Sequence, residues 1–268
     1  MLTPNTHVSR TVRLRVSAKS LANQLRRVCL DTPPQPVRVL FTDAGMSVWT
    51  HDLAKTMHVF LSDAPLVDYK VKEPCVLLVN PKEFSDTLAL KFKDSQVQIR
   101  TEANQEITIN DKAGNSSVIY PADEDDCAIV PDHWQIPDSD TKEGWKHIPQ
   151  KGEDCTTRVE MSRSELVKAM VDMQVASAPY CEFAFADKHR TVATSGHWTS
   201  KTNRSMSKLD CTTLGSSVSV GLTDDSLTRL LSITTSDDFV FHKHIETPFV
   251  VAECGDMVVT LAETQKGA

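Results

Sequence analysis

The feature that most constrains this chain is a plan of elements that occurs twice. In the first half, TVRLRV alternates Val12, Leu14 and Val16 with Arg13 and Arg15, the period of a half-buried strand. SAKSLANQLRRVCL then places Leu21, Leu25 and Val28 on one helical stripe, with Ser17 positioned to cap it. PVRVLF, the turn TDAG and MSVWTH read as a hairpin, followed by strands in KTMHVFL and CVLLV. A second short helix, NPKEFSDTLALKF, has Asn80 as its cap, Pro81 in its first turn and Phe84, Leu88 and Phe92 four apart. Strands in SQVQIRT, QEITIN and SSVIYP close the half.

The second half repeats the order. RVEM leads into SRSELVKAMVDMQV, where Leu166 and Met170 with Val167 and Val171 are expected to form the buried stripe. CEFAFA and TVATS form a hairpin, SVSVGL leads into the helix TDDSLTRLLSI, and DDFVFHKH, TPFVVAE and GDMVVTLAE finish as strands. Ser17 matches Ser162 at an offset of 145 and Pro81 matches Asp224 at 143, which points to an internal duplication. With about nine strands and two short helices per half, the fold class is α+β. It consists of two similar β-rich domains, each with two short helices on one face of antiparallel sheets. The expected domains are 1–120 and 157–268, joined by a connector at 121–156. A chain of 268 residues suits two domains.

Charge is unevenly distributed. The net charge is −7, and the stretch from Tyr120 to Thr156, with ten acids, three lysines and four prolines, carries all of it. Ile129, Val130, Trp134, Ile136 and Trp145 interrupt this stretch, either pinning the connector to its own protein or forming a surface for partner peptides. The seven cysteines are odd in number and never spaced as CxxC, against both a disulfide framework and a structural zinc site. They fit a reducing cytoplasm or nucleus. No run approaches the ~18 apolar residues of a membrane span, and MLTPNTHVSR lacks a signal-peptide core, so no membrane partner is expected.

On the helices, Ser17–Leu30 carries Lys19, Arg26 and Arg27 with no acid. Lys82–Lys93 is net +1, Ser162–Val175 is neutral and Thr223–Ser232 is −1, leaving +3 in all. Such a face is either merely solvated or a diffuse contact for an anionic partner. No Gly-rich phosphate loop, GxSxG, HExxH or Rossmann fingerprint occurs. His242 and His244, with Cys254 nearby in sequence, make a metal site conceivable, but surface histidines on a strand are the expectation. Neither a catalytic site nor a cofactor is expected.

Three stretches carry a family resemblance. TDAGMSVWTHDLAKTMHVFL, with Gly45, Asp52 and Val59, resembles the signature stretch of the PCNA-type DNA sliding clamps of eukaryotes, archaea and their viruses. NPKEFSDTLALKFKDSQVQIRTE resembles the family's second inner helix and following strand. ETPFVVAECGDMVVTLAE resembles its C-terminal pair, with Pro248 in place and Leu261-Ala262 matching the closing Leu-Ala. The resemblance covers roughly residues 10–264. It implies a processivity factor whose three subunits close head to tail around duplex DNA and tether polymerase, clamp loader and repair proteins through short peptide motifs.

By the same resemblance, DNA-facing roles fall to Lys19, Arg26, Arg27, Lys82, Lys91, Arg163, Lys168 and Arg229. The peptide surface would use His51, Leu53, Thr56, His58, Ile129, Val130, Ile136, Pro248, Thr260, Leu261 and Ala262. Subunit edges would be Ser116, Val118 and Tyr120 against Arg204, Met206 and Lys208. Thr260 stands where an aromatic is usual, Glu263 replaces a proline, and the connector is longer and more acidic than the family pattern. A checkpoint-type clamp subunit, a viral processivity factor that does not close a ring, and a β-rich enzyme remain the alternatives.

Overall fold

The structure is a computed structural model. It describes residues 11–31, 33–101, 106–128, 147–148, 153–178, 180–185, 191–196 and 204–264. The chain divides into two compact units, Met1–Val130 and Pro131–Ala268.

The first unit runs β1 (Val12–Ser17), α1 (Ala18–Arg26), β2 (Val37–Phe41), β3 (Met46–His51), β4 (Met57–Ala64), β5 (Lys70–Val71), β6 (Cys75–Val79), α2 (Pro81–Thr87), β7 (Gln96–Thr101), β8 (Ile107–Asp111) and β9 (Ser116–Ile119). Its strands lie in two antiparallel runs, β5-β1-β7-β8-β9 and β4-β3-β2-β6. Ser17 caps α1 by accepting from the Ser20 N–H, and Asn80 caps α2 by accepting from the Lys82 and Glu83 N–H groups. Beyond α2 the chain widens into a π-helical turn, Leu88–Phe92, that keeps Phe84, Leu88 and Phe92 buried while turning Leu90 outward. In the β2–β3 hairpin Gly45 has φ +150°, and a Cβ there would lie 2.4 Å from the Ala64 carbonyl oxygen, so only glycine fits.

The second unit runs β10 (His147–Ile148), β11 (Glu153–Asp154), β12 (Thr157–Ser162), α3 (Arg163–Ala176), β13 (Tyr180–Phe185), β14 (Thr191–Gly196), β15 (Arg204–Leu209), β16 (Cys211–Gly215), β17 (Val218–Thr223), α4 (Asp224–Ile233), β18 (Asp238–Lys243), β19 (Phe249–Cys254) and β20 (Met257–Ala262). Its runs are β16-β12-β18-β19-β20 and β15-β14-β13-β17, the same connectivity as in the first unit. The helix starts that aligned in sequence hold equivalent places, with Ser17 and Ser162 preceding α1 and α3, and Pro81 and Asp224 opening α2 and α4. The mixed class, with large antiparallel sheets and few helices, is as expected.

Two expectations change. The buried stripe of α3 is Leu166, Ala169, Met173 and Ala176, whereas Val167 and Val171, with Val175, point outward at 44%, 50% and 76% exposure. This helix is apolar on two faces, so spacing alone does not choose the inward one. His242 is no surface histidine either. It is fully buried on β18 with Nε2 2.8 Å from the Glu253 carboxylate, while His244 lies beyond the end of that strand.

Candidate nucleic-acid interface

In the first unit α1 packs beside α2, burying Leu21 and Leu25 and presenting Lys19, Asn23 and Arg26 to solvent. Asp86 on α2 gathers two of the expected cations, Lys82 Nζ at 2.6 Å and Arg26 Nη2 at 3.9 Å. The Lys82 hydrogen bond is the main cause holding the Asp86 carboxyl below its ordinary range. Lys19 reaches Asp94 at 3.2 Å but stays 68% exposed. Arg27 donates to Gln24 Oε1 at 2.6 Å. Lys91 donates to the Ser116 carbonyl of β9 and sits 6.0 Å from the centroid of the Phe92 ring. Exposed ion pairs of this kind add little to stability, so the cations in them can exchange partners at small cost.

The second unit uses its cations differently. Arg163 donates from Nη2 to the Leu231 carbonyl at 2.6 Å and from Nη1 to those of Thr234 and Ser236 at 3.1 and 3.3 Å. It thereby closes the C-terminal end of α4, whose last carbonyls lack helical partners. Arg163 is thus a structural cap, which corrects its expected DNA-facing role. Lys168 donates to the Lys208 carbonyl of β15 at 2.6 Å, with Glu165 3.7 Å away. Asp172 accepts from the Ser205 hydroxyl, so two residues of α3 fasten β15, and Glu165 accepts from the Asp210 N–H in the turn just after it. Arg229 pairs with Asp225 at 2.9 Å along α4.

The expected peptide surface is only partly accessible. In the first unit Leu53 is 61% exposed and Thr56 is exposed, held by the buried Asp52, which accepts from the Thr56 N–H and hydroxyl and from the Met57 N–H. His58 is buried, directly opposite the half-buried His51 across β3 and β4, and both rings touch Trp49. Burial, aided by His51, lowers the His58 pKa. In the second unit Pro248 and Ala262 are half-buried, but Thr260 and Leu261 are fully buried. Contact roles for His58, Thr260 and Leu261 therefore do not hold in this conformation, because sheet packing covers their side chains. Ile129, Val130 and Ile136 lie outside the described residues.

Glu263, at the proline position of the resemblance, is 2.9 Å from Lys243, which also donates to the Thr247 carbonyl. Burial pushes the Glu263 carboxyl above its ordinary range against the pull of that ammonium.

At the expected subunit edges, β9 ends the five-stranded sheet of the first unit and β15 ends the four-stranded sheet of the second. Ser116, Val118, Tyr120 and Lys208 are exposed, and Arg204 and Met206 are placed on β15 by their backbone pairing with Gly196 and Thr194. Sequence reasoning missed the apolar residues beside these edges: Leu90 in the first unit and the Val167, Val171, Val175 row in the second. The i, i+4, i+8 spacing of the valines was visible, but it reads equally as core. Among the described residues no group of three His, Cys, Asp or Glu could hold a metal, and no helix is long and apolar enough to cross a membrane.

No family model matches the sequence, and no curated protein does. The structure, however, is similar to solved sliding clamps. Proliferating cellular nuclear antigen (PCNA) of Entamoeba histolytica matches at TM-score 0.66 and 10% identity, covering 96% of this chain and 100% of that one. A. fulgidus PCNA, solved with the C-terminal region of FEN-1, matches at TM-score 0.70 and 12% identity over 96% and 100%. The Helicobacter pylori beta clamp, solved with a DNA ligase peptide, matches at TM-score 0.65 and 14% identity over 96% of this chain and 67% of that one. The duplicated strand order, with two helices in each unit, is that of the DNA sliding clamps, and this chain has their fold.

Proposed function

We propose that the chain is one subunit of a PCNA-type sliding clamp, a non-enzymatic ring that encircles duplex DNA without reading its sequence and tethers polymerase and other replication or repair proteins to it. The observation that carries this reading is the fold likeness, which spans the full length of both PCNA chains but two thirds of the bacterial clamp. Lys19, Arg26, Arg27, Lys82, Lys91, Lys168 and Arg229 supply diffuse phosphate contacts, which position without specifying sequence and so permit sliding. Arg163 is left out because its guanidinium is spent on α4.

Closure follows from two unlike surfaces. One end strand, β9, carries Val118, with Tyr120 just past its end and Leu90 exposed on the π-helical turn that Lys91 ties to it; the other, β15, is fastened to α3 with its outward valine row. A heterologous contact of one with the other, repeated three times, closes a homotrimer and hides both edges. Partner peptides reach Leu53, Thr56 and His51 in the first unit and Pro248 and Ala262 in the second, in keeping with the FEN-1 and ligase segments bound to the similar clamps.

Light scattering tests this reading. The expected particle has three times the chain mass and stimulates a cognate polymerase on long templates. A monodisperse monomer without stimulation would overturn it, and a monomer that stimulates would favour a clamp that acts without closing.

A further inference from the structure

The outward face of β1, β5 and β7 carries a grid of cations that the helix-lined reading does not use. Arg15 lies directly across from Lys70 on β5 and Gln98 on β7, and Arg13 directly across from Arg100. Lys72, just past β5, donates its N–H to the Arg13 carbonyl at 3.3 Å and extends that second row. All five cations are exposed, above the buried Leu14 and Ile99. They line a groove of about 490 Å³ with Gln98 and Thr101, and among the described residues no acid contributes to its lining. Among the described residues none of the five takes part in an ion pair; Arg100 donates to Gln98 Oε1 at 3.1 Å.

Like charges placed directly opposite one another on a sheet destabilise it. The fold does not demand them. In the second unit β12, β16 and β18 hold the equivalent places, and there Arg158 lies across from Leu214 and His242 and Glu160 from Thr212 and Val240. Arg158 and Glu160 neutralise each other at 2.5 Å. The same scaffold thus closes without a cationic face, so the grid has to be accounted for by a ligand.

We propose that this face is a second docking surface, distinct from the helices, for the phosphate backbone of duplex nucleic acid. Rows two residues apart along a strand are separated by ~6.7 Å and neighbouring strands by ~4.8 Å, so the grid spans ~10 by ~7 Å, the scale of a few phosphates on one backbone. Three of the five cations are arginines, whose planar forks match phosphate oxygens, and Gln98, Thr108 and Asn110 continue the face with neutral hydrogen-bonding groups. An acidic protein would want desolvated apolar or aromatic anchors, and the apolar side chains here lie buried beneath the charges. A single strand would want aromatic stacking worth ~1–3 kcal/mol per base, and the grid has no aromatic side chain. A duplex arrives with its phosphates already ordered and needs charge alone.

The test is anisotropy of a fluorescein-labelled linear duplex with the full chain over about 50 to 200 mM salt. Arg13→Gln/Arg15→Gln/Arg100→Gln removes three phosphate contacts, so the log–log salt slope should fall by about 2.7, and that fourfold rise in salt should cost the wild type about 40-fold more affinity than the variant. Lys70→Gln/Lys72→Gln should reproduce the loss on a smaller scale. Both variants should melt at or above the wild-type temperature, since like-charge repulsion is relieved. Arg26→Ala/Arg27→Ala is measured alongside, as is binding of oligothymidylate and of poly-glutamate. Duplex binding unchanged in both grid variants, or lost only in the α1 variant, overturns the proposal. So does a grid-dependent preference for oligothymidylate or poly-glutamate over duplex. Grid-dependent duplex binding by a chain that light scattering finds monomeric would uphold this surface while rejecting the closed ring.

Discussion

The helix pairs α1–α2 and α3–α4 occupy equivalent places in two copies of one strand order, yet their cations do different work. In the first pair Lys19, Arg26 and Lys82 stay exposed and pair directly with acids at the surface, as Arg26 and Lys82 do at Asp86. In the second, Arg163 is consumed by the end of α4, and Lys168, though exposed, also ties down the backbone of β15. On the proposed function, the two halves of one scaffold divide the labour, one toward an anionic ligand and one toward holding the fold. Net charge counted along a helix cannot tell these roles apart.

Substitutions can break or sharpen that contrast. The largest loss of stability is expected from Lys243→Ala in the second unit, which strands the buried Glu263 carboxylate; removing one partner of a buried pair costs ~3–5 kcal/mol, read by denaturant melts. Arg163→Ala follows, because the carbonyls of Leu231 and Thr234 at the end of α4 and of Ser236 just past it lose a charged donor, with ~2–3 kcal/mol expected and DNA affinity little changed. Should Arg163→Ala instead weaken DNA binding at unaltered stability, the assignment of α3 to structure fails.

Arg26→Ala/Arg27→Ala should invert this pattern. Stability should shift by under ~1 kcal/mol while duplex affinity falls and its salt slope flattens by about 1.8, measured by anisotropy. The smallest effect belongs to Asp86→Asn. The folded Asp86 carboxyl is held below its ordinary range, so its stabilising contribution is present above the unfolded-state value and is lost as pH falls through the folded one. The variant should flatten that acid limb slightly and, by releasing Arg26 and Lys82, bind duplex more tightly than wild type. Weaker binding would mean that Asp86 positions those cations rather than competing for them.

Much of the fold was legible because its determinants are local. Val12, Leu14 and Val16 alternate within one strand, and Ser17, Asn80 and Pro81 act within a turn of the helices they start. A pattern of this kind survives where identity to the similar clamps is only 10–14%, which is why element order was informative where no sequence match exists. The site was less legible. Thr260 and Leu261 read as a surface ending, yet β20 pairs along its whole length with β19 and both side chains are buried. The α3 valines read as core because a helix apolar on two faces leaves its orientation open until a sheet covers one of them.

Sequence alone determined the repeated strand and helix order, the caps, and the concentration of acids from Tyr120 to Thr156 in a chain otherwise neutral in sum, since each depends on residues within a few positions or on composition. Tertiary structure decided which charges remain available. Arg163 meets carbonyls 68 to 73 residues away, Lys168 meets one 40 away, and the Arg13–Arg100 row exists only once β1 and β7 pair. Coulomb and hydrogen-bond energies depend on distance in space, and chain position does not report that distance until the strands have found their register.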